Sequence, residues 1–308
     1  MTFEEFVGQG WQDHGNDAAG VWARLDQGGP PADTPQRLFA LAHLAAHVSG
    51  DHLGRWDDGI AFIERLTRLA PFDPATLEGK GLRRLQAVLH YCAGRRNIAE
   101  ERLALAQPGG TLPPESTRIR MLAAAASALS QHDRLDEASA AFEEALALSA
   151  YGPDRDDPAA RDLAVTGNNI SCALEERVTL TPVQIRMMLR AAETGRRFWE
   201  IAGGWMQVER AEYRLALSHL KAGLPQPALR HAQECLRIVM ENGPQAGELF
   251  FAHEAIAQVR LALGEPVAAR IARDAAAAAL PQIADEGFRS YCAAELAKLD
   301  AALASAPG

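Results

Sequence analysis

Helix-like apolar stretches in this chain are interrupted at regular intervals by short polar or glycine-containing breaks. One series of breaks recurs roughly every 38 to 47 residues, and a second series lies between its members. A period in this range is typical of stacked supersecondary units rather than of one globular core. The first series is Gly50, Gly94, His132-Asp133, Leu180-Thr181-Pro182, Gly223 and Gly264, and the second is Pro71, Pro108, Gly152-Pro153, Gly203-Gly204, Gly243-Pro244 and Pro281. The two series predict a helix, a turn, a second helix and a second turn, repeated.

The composition favours an all-α fold. Hydrophobic residues make up 48% of the 308 residues, whereas aromatic residues make up only 6%. Alanine runs at 123–126 and 275–279 favour close helix packing, and no stretch alternates apolar and polar residues for long enough to indicate a sheet. Because each unit of a stack buries its apolar face only against its neighbours, a chain of this length can form one repeat body.

Helix caps support the boundaries of the units. Thr34-Pro35, Asp73-Pro74 and Asp157-Pro158 each place a capping side chain before a proline that suits the first helical turn, and Thr181 to Gln184 has the spacing of a capping box. We predict an N-terminal helical hairpin over 1–30, a repeat region over 34–281 and a C-terminal capping helix over 285–305. The repeat units are predicted at 34–71, 73–108, 114–152, 157–203, 204–243 and 244–281.

Small residues recur at matching positions of these units. In the third unit, Leu122, Ala125-Ala126 and Leu129 are followed by Ala138, Phe142 and Ala145, and in the fifth, Leu215-Ala216 is followed by Ala228, Ala232 and Cys235. A small residue on each helix of a pair lets the two helices approach closely. This pattern resembles the tetratricopeptide repeat (TPR). The resemblance implies an α-solenoid of about six antiparallel helix pairs in a right-handed superhelix with a concave groove.

The repeats are longer than the standard TPR unit. The equivalent small positions are Ala45, Ala87, Ala126, Ser171, Ala216 and Ala257, at intervals of 42, 39, 45, 45 and 41 residues. Since a standard unit has about 34 residues, each helix here is expected to be about one turn longer. In this respect the chain resembles the TPR regions of bacterial regulators, such as the peptide-sensing Rap family and the sensor regions of large transcription activators.

The resemblance also implies a binding surface. The segment Asn168-Asn169-Ile170-Ser171 is similar to the Asn-Asn-Leu-Ala segment of many such repeats, for example in kinesin light chains. In this family the first helices of successive units line the groove in which a peptide lies. An arginine there can hold a carboxylate bidentately, and an asparagine can pair with a peptide backbone. Carried over by position, the groove residues are Arg84, Arg120, Asn168, Asn169, Arg210, Tyr213 and Glu254. Single arginines of this kind are also common as solvated surface charges.

Charge and apolar patterning exclude several classes of partner. The net charge is −9, and the acidic residues are not clustered. Such a surface disfavours phosphate backbones, so we expect neither nucleic acid nor an anionic membrane as a partner. The first residues lack the basic and then apolar pattern of a secretion signal, and no apolar run is long enough to span a bilayer. The cytoplasm is the expected location.

Catalytic, cofactor and metal motifs give no firm assignment. Nucleophile-elbow, phosphate-loop and dinucleotide-binding motifs are absent from the sequence, so we predict no enzyme activity and no cofactor. His43, His47 and Asp51 are spaced four apart and could share a helix face that binds a divalent metal. The same spacing suits local hydrogen bonds, so no metal is assigned. The acidic segment 154–157 suits a solvated turn and helix cap better than a catalytic metal site.

Together these features predict a non-enzymatic scaffold that binds a protein or peptide segment in its groove. The alternative is a regulator in which a small molecule or peptide changes the curvature of the stack. The final helix, which carries Phe288, Tyr291, Leu296 and Leu299, is expected either to cap the stack or to pair with a second copy. A homodimer through the terminal helices is therefore a further prediction.

Overall fold

The computed structural model describes residues 1–107 and 112–305 of this chain. These residues form fifteen α-helices, and no β-strand occurs in either range. Neither range contains a helix that is both long and apolar enough to cross a membrane. The predicted break at Pro108 lies outside the described residues.

The helices form an N-terminal hairpin, six consecutive pairs and a final helix. The hairpin consists of α1 (Phe3–Asp13) and α2 (Ala18–Gln27). The next three pairs are α3 (Pro35–Ala46) with α4 (Trp56–Leu66), α5 (Leu77–Cys92) with α6 (Arg96–Leu105), and α7 (Pro114–Gln131) with α8 (Leu135–Leu148). They are followed by α9 (Pro158–Glu175) with α10 (Pro182–Ala202), α11 (Trp205–Lys221) with α12 (Pro225–Asn242), α13 (Ala246–Ala262) with α14 (Pro266–Ala279), and by α15 (Glu286–Ser305). A π-helical segment, His47–His52, continues α3, and 3-10 turns follow α8 and α14.

Consecutive helices pack against one another as in a repeat protein, for example α5 on α6 and α13 on α14. The chain forms two compact bodies, residues 1–166 and 167–308, with the boundary inside α9. In the N-terminal body the first helices of successive pairs also touch, α3 against α5 and α5 against α7. In the C-terminal body α11 packs on α13 and α13 on α15 in the same way. Together with the successive helix pairs, this packing confirms the predicted all-α solenoid fold.

Four of the six pairs close with the same turn. The residue at the turn has a positive φ in each case, namely 78° at Gly94, 61° at Asp133, 72° at Gly223 and 75° at Gly264. The next N–H then bonds a carbonyl five residues back, as in Arg95 to His90 at 2.9 Å. This is the left-handed C-terminal cap that glycine adopts at least cost. The sequence breaks at these positions therefore mark turns within the pairs.

The first pair departs from this pattern by one residue. The predicted break at Gly50 falls inside the π-helical segment, and the positive φ of 62° is found at Gly54 instead. The N–H of Arg55 bonds the carbonyl of Ser49, six residues back rather than five, at 2.7 Å. The π turn absorbs this extra residue. A hydrogen bond from the third helix pair holds the π turn in place, since the carbonyl of Gly50 accepts from Nε2 of His132 at 2.8 Å.

The terminal elements close the two ends of the helix series. Phe3, Val21, Trp22 and Leu25 of the N-terminal hairpin are buried in one cluster with residues of α3, α4 and α5. At the other end, Cys292 and Leu296 of α15 are buried with Phe250 of α13 and Ala276 of α14. Helix α15 therefore packs as the predicted cap of its own chain.

Candidate functional site

A cleft of about 720 Å³ runs along four helices of the C-terminal body. We call it the α9–α15 cleft, because α9, α11, α13 and α15 supply its walls. It is lined by Asn168, Cys172, Glu175, Glu176, Glu209, Arg210, Tyr213, Arg214, Leu217, Glu248, Phe251, Glu254, Gln258, Phe288, Tyr291, Glu295 and Lys298. Its size is in the range of ordinary ligand sites.

The helical period explains why these residues face one space. On α11 the lining positions are 209, 210, 213, 214 and 217, and on α15 they are 288, 291, 295 and 298. Residues three or four apart lie on one face of a helix, so each helix contributes a single stripe. Because first helices of successive pairs lie side by side, the stripes adjoin one another.

Glu175 and Arg214 form a buried ion pair in the wall of this cleft. Arg214 Nη1 donates to one oxygen of Glu175, and Ser218 Oγ donates to the other. The side chains are only 11% and 22% exposed. Burial raises the pKa of Glu175, although the guanidinium and the hydroxyl oppose that shift. The pair therefore locks α9 against α11 rather than presenting two open charges.

Glu209 and Glu248 bring two carboxyl groups together beside Arg210. Arg210 Nη2 donates to Glu248 Oε1 at 2.5 Å, and the Cys235 thiol donates to Glu209 Oε1 at 2.8 Å. The other oxygen of Glu209 is buried and accepts no hydrogen bond from the described residues. Burial, reinforced by the neighbouring Glu248, raises the pKa of Glu209 to about 8. Glu209 therefore keeps its proton to a higher pH than an exposed glutamate does.

Glu254 is a further buried acid of the cleft. Its side chain accepts hydrogen bonds from Tyr213 Oη at 3.2 Å and from Gln258 Nε2. The residue is only 2% exposed, and burial raises its pKa to about 7. At neutral pH this group can therefore exchange its proton in response to a nearby charge.

Aromatic rings form the remaining wall. The ring of Phe251 lies 5.5 Å from that of Tyr213, 6.0 Å from Phe288 and 6.3 Å from Tyr291, measured between centroids. Phe288 is 40% exposed and Tyr291 is 55% exposed. The cleft thus combines carboxyl groups with a partly exposed aromatic surface.

The structure gathers four of the seven predicted groove residues in this cleft. Asn168, Arg210, Tyr213 and Glu254 all line it. Asn169 lies beside them on α9 but is not among the lining residues. Arg210, one of the predicted groove residues, already forms an ion pair with Glu248 of the same body. Glu248 therefore already occupies Nε and Nη2 of this guanidinium.

Arg84 and Arg120 lie in a smaller cleft of the N-terminal body. This space of about 290 Å³ is also bordered by Phe39, Lys80 and Ser116. Arg120 Nε donates to Asp162 Oδ2 at 2.8 Å. Burial, followed by the charge of Arg120, lowers the pKa of Arg84 to about 10. A charged guanidinium in this position favours an anionic neighbour.

Sequence reasoning missed most of the acidic and aromatic lining. Glu175, Glu209, Glu248 and Tyr291 carry much of the chemistry of the cleft. The repeat pattern predicts only one or two groove residues on each of the first helices α5, α7, α9, α11 and α13. Repeated steps of three or four residues along each helix lead from the predicted positions to Glu175, Glu209 and Glu248, and the same spacing on the final helix includes Tyr291.

Two other sequence candidates have local roles in the structure. Asp154 and Asp157 form a turn and a helix cap, in which Asp154 Oδ1 accepts the N–H of Asp157 at 3.0 Å and Asp157 Oδ1 accepts that of Ala159 at 2.9 Å. His47 Nδ1 bonds Asp51 Oδ2 at 2.7 Å, whereas the ring of His43 stacks on Phe39. The candidate set of His43, His47 and Asp51, to which no metal was assigned, therefore does not converge on one point.

Comparison with known proteins identifies the class of fold. A similar solved structure is that of a signal transduction ATPase with numerous domains (STAND) protein with a tetratricopeptide repeat sensor, from Pyrococcus horikoshii. The two share 14% sequence identity with a TM-score of 0.50, over 94% of this chain and 43% of that chain. This likeness confirms the TPR-like fold and nothing beyond it. No protein-family model matches the sequence, and no curated protein does.

Proposed function

We propose that this chain is a non-catalytic binding module that holds a protein or peptide segment in the α9–α15 cleft. The observation that carries the proposal is the convergence of Asn168, Arg210, Tyr213 and Glu254 with a partly exposed aromatic wall in one cleft. Adjacent helix faces of a repeat protein offer a binding surface of this kind. A peptide can pair its backbone with Asn168 and pack side chains against Phe288 and Tyr291.

The charge balance favours a segment with a basic side chain. Three cations line the cleft, and each is paired with a carboxylate: Arg210 with Glu248, Arg214 with Glu175, and Lys298 with Glu295 at 2.7 Å. Three further lining glutamates, Glu176, Glu209 and Glu254, give the cleft an excess of acidic groups. A lysine or arginine of the ligand can stack its stem on the aromatic wall and place its charge near these carboxyl groups.

A random peptide library displayed on phage supplies the probe for the test. Peptides selected on the intact protein are synthesised, and their affinity is measured by fluorescence anisotropy. Tyr291→Ala removes an exposed ring from the cleft, and Asn168→Ala removes a backbone-pairing amide. We expect each variant to weaken binding about tenfold, the usual effect of losing an interface anchor.

Val183→Ala provides the matched control, because Val183 is 58% exposed in the same body and does not line the cleft. Its affinity should equal that of the natural chain. Helicity measured by circular dichroism shows whether each variant is folded. Selected peptides that bind both cleft variants with unchanged affinity would remove the cleft assignment.

A ligand-gated sensor is the second candidate. It is favoured by the structural neighbour, which is described as having a tetratricopeptide repeat sensor. In this version the bound segment alters the packing of successive pairs and so transmits a signal. Small-angle scattering with and without a selected peptide separates the two candidates. A change in molecular dimensions on binding supports the sensor, whereas unchanged dimensions support the static module.

Three sequence-based predictions accompany this proposal. Arg84 and Arg120 are predicted to hold an acidic group in the smaller cleft of the N-terminal body, and the cytoplasm remains the predicted location. A homodimer through the terminal helices also remains a prediction. Sedimentation equilibrium tests it, since a single species at the mass of the 33.2 kDa chain across concentrations would contradict it.

A further inference from the structure

Three histidines meet in the N-terminal body, far along the sequence from the residues of the α9–α15 cleft. One ring nitrogen from each of His14, His47 and His52 lies within 4.8 Å of the others. Ring centroids are 5.0 Å apart for His14 and His47, 5.0 Å for His14 and His52, and 4.8 Å for His47 and His52. His14 follows α1, whereas the other two lie on the segment after α3.

The π-helical segment is what brings two of these side chains together. His47 and His52 are five residues apart and occupy the first and last positions of the π turn. In an α-helix, residues five apart point in different directions, but the wider π turn places them on nearly the same face. Nε2 of His52 lies 3.2 Å from Nε2 of His47. The extra residue in the π turn after α3 therefore also brings two imidazole rings together.

Hydrogen bonds to neighbouring groups determine which ring nitrogens of His14 and His47 have a lone pair available for a metal. Nδ1 of His47 lies 2.7 Å from Asp51 Oδ2, and Nδ1 of His14 lies 2.6 Å from the carbonyl oxygen of Trp11. Each Nδ1–H donates to its acceptor, which leaves Nε2 with its lone pair. A histidine that binds a metal usually gives its other N–H to a carboxylate or a backbone carbonyl in this manner.

We propose that His14, His47 and His52 form a binding site for a divalent transition metal such as Zn²⁺, with a fourth position open to water. Two imidazole nitrogens on a tetrahedral Zn²⁺ lie about 3.3 Å apart, given Zn–N bonds of about 2.0 Å. The separation of His47 and His52 is already 3.2 Å. His52 is exposed, so its ring can adjust to the third ligand, and solvent reaches the site. Imidazole ligands suit Zn²⁺, Cu²⁺ and Ni²⁺ rather than Mg²⁺ or Ca²⁺.

The bound metal would tie the N-terminal hairpin to the first helix pair. His14 ends α1, and the other two ligands belong to the segment that continues α3, so one ion joins two elements distant in sequence. Metal binding to the folded state raises the melting temperature, and the rise grows with the logarithm of the free metal concentration above the dissociation constant. This site does not depend on the α9–α15 cleft, and either proposal can fail without the other.

Calorimetric titration of Zn²⁺ into the full chain tests the site, after removal of any affinity tag and of bound metal by chelation. We expect one equivalent of high-affinity binding and a rise in melting temperature. Co²⁺ should give the visible absorption of a tetrahedral site. His14→Ala and His52→Ala should each weaken Zn²⁺ binding at least about tenfold and abolish that absorption.

His43→Ala is the matched control, because this ring contacts Trp11 beside the group but is not one of the three ligands. Its Zn²⁺ affinity should match that of the natural chain. Circular dichroism establishes that the variants fold, which is expected for the exposed His52. The absence of Zn²⁺ binding by the natural chain would overturn the proposal, and so would equal binding by the His14, His52 and His43 variants.

Discussion

At the scale of single residues, the cleft is distinguished by acids that keep their protons near neutral pH. Burial raises the pKa of Glu254 to about 7 and that of Glu209 to about 8. Both groups are polar side chains enclosed by helices, where the charged form loses its hydration. When ionised, these carboxylates lower the stability of the fold, and a basic ligand would offset that loss. Burial of this kind is more common at sites that bind ligands than elsewhere.

Glu254→Gln should change how stability depends on pH. The ordinary pKa of this group is 4.5, and in the folded chain it is about 7. Between these values the unfolded chain has lost the proton that the folded chain retains, so rising pH favours unfolding. The free energy of unfolding of the natural chain, relative to the glutamine variant, should therefore fall by roughly 3 kcal/mol from about pH 4 to about pH 7.5 and then level off.

Denaturant unfolding at a series of pH values measures this difference. Glu101→Gln serves as a control, because Glu101 is exposed on α6. The control should follow the pH dependence of the natural chain closely. A difference between the natural chain and Glu254→Gln that is constant with pH would show that Glu254 ionises normally in the fold.

At the scale of helices, much of the architecture is predictable from local sequence. The breaks at Gly94, Gly223 and Gly264 coincide with the left-handed residues that end first helices, because few other residues adopt that conformation cheaply. The break at Gly50 was misplaced. A π turn depends on the packing of Ser49 and Gly50 against other helices, and no local pattern records that packing.

The cleft was only partly predictable for a related reason. The repeat pattern indicates which helix face adjoins the next pair, and Asn168, Arg210, Tyr213 and Glu254 follow from it. The partners of these residues depend on pairs about forty residues away, such as Arg214 with Glu175. The sequence shows each charged residue but not the residue with which it forms an ion pair. It therefore did not reveal that Arg210 is paired with Glu248 or that burial raises the pKa of Glu209.

Gly167→Ala should separate two helices that touch through their backbones. A Cβ at Gly167 of α9 would lie 2.5 Å from the carbonyl oxygen of Ala191 and 2.6 Å from the amide nitrogen of Gly195 on α10. Neither atom can move without shifting its helix. We expect a loss of about 1–3 kcal/mol or more in the free energy of unfolding, measured by denaturant titration.

Gly8→Ala is the matched substitution in α1. A Cβ at this exposed position meets no atom within 4 Å, so the gain in helix propensity should stabilise the chain by up to about 1 kcal/mol. Because the two substitutions should change the free energy of unfolding in opposite directions, they separate a steric effect from a general effect of alanine. Equal stabilisation by both substitutions would show that α9 and α10 do not approach as described.

At the scale of the whole molecule, a destabilising change at one position should affect only the helices next to it. Within each of the two compact bodies, helices pack mainly on helices that are close to them in the chain. In such an arrangement the free energy is nearly a sum of local units and their interfaces. Damage at one point should then loosen its neighbours and leave distant helices protected.

Phe250→Ala tests this locality. Phe250 is fully buried between α13, α14 and α15, and its truncation should cost about 3–5 kcal/mol locally. Hydrogen–deuterium exchange with mass spectrometry should show faster exchange in α13 to α15, whereas α5 and α7 should keep the exchange rates of the natural chain. Uniform acceleration in every helix would indicate one cooperative unit instead.

The most direct test of the central claim is to map where a selected peptide sits. The peptide is synthesised with a photoreactive group, crosslinked to the natural chain, and the labelled residues are identified by mass spectrometry. The proposed function predicts labels on the lining faces of α11, α13 and α15, at or beside Tyr213, Phe251 and Tyr291. Labels confined to α10, α12 and α14, or to the N-terminal body, would contradict it.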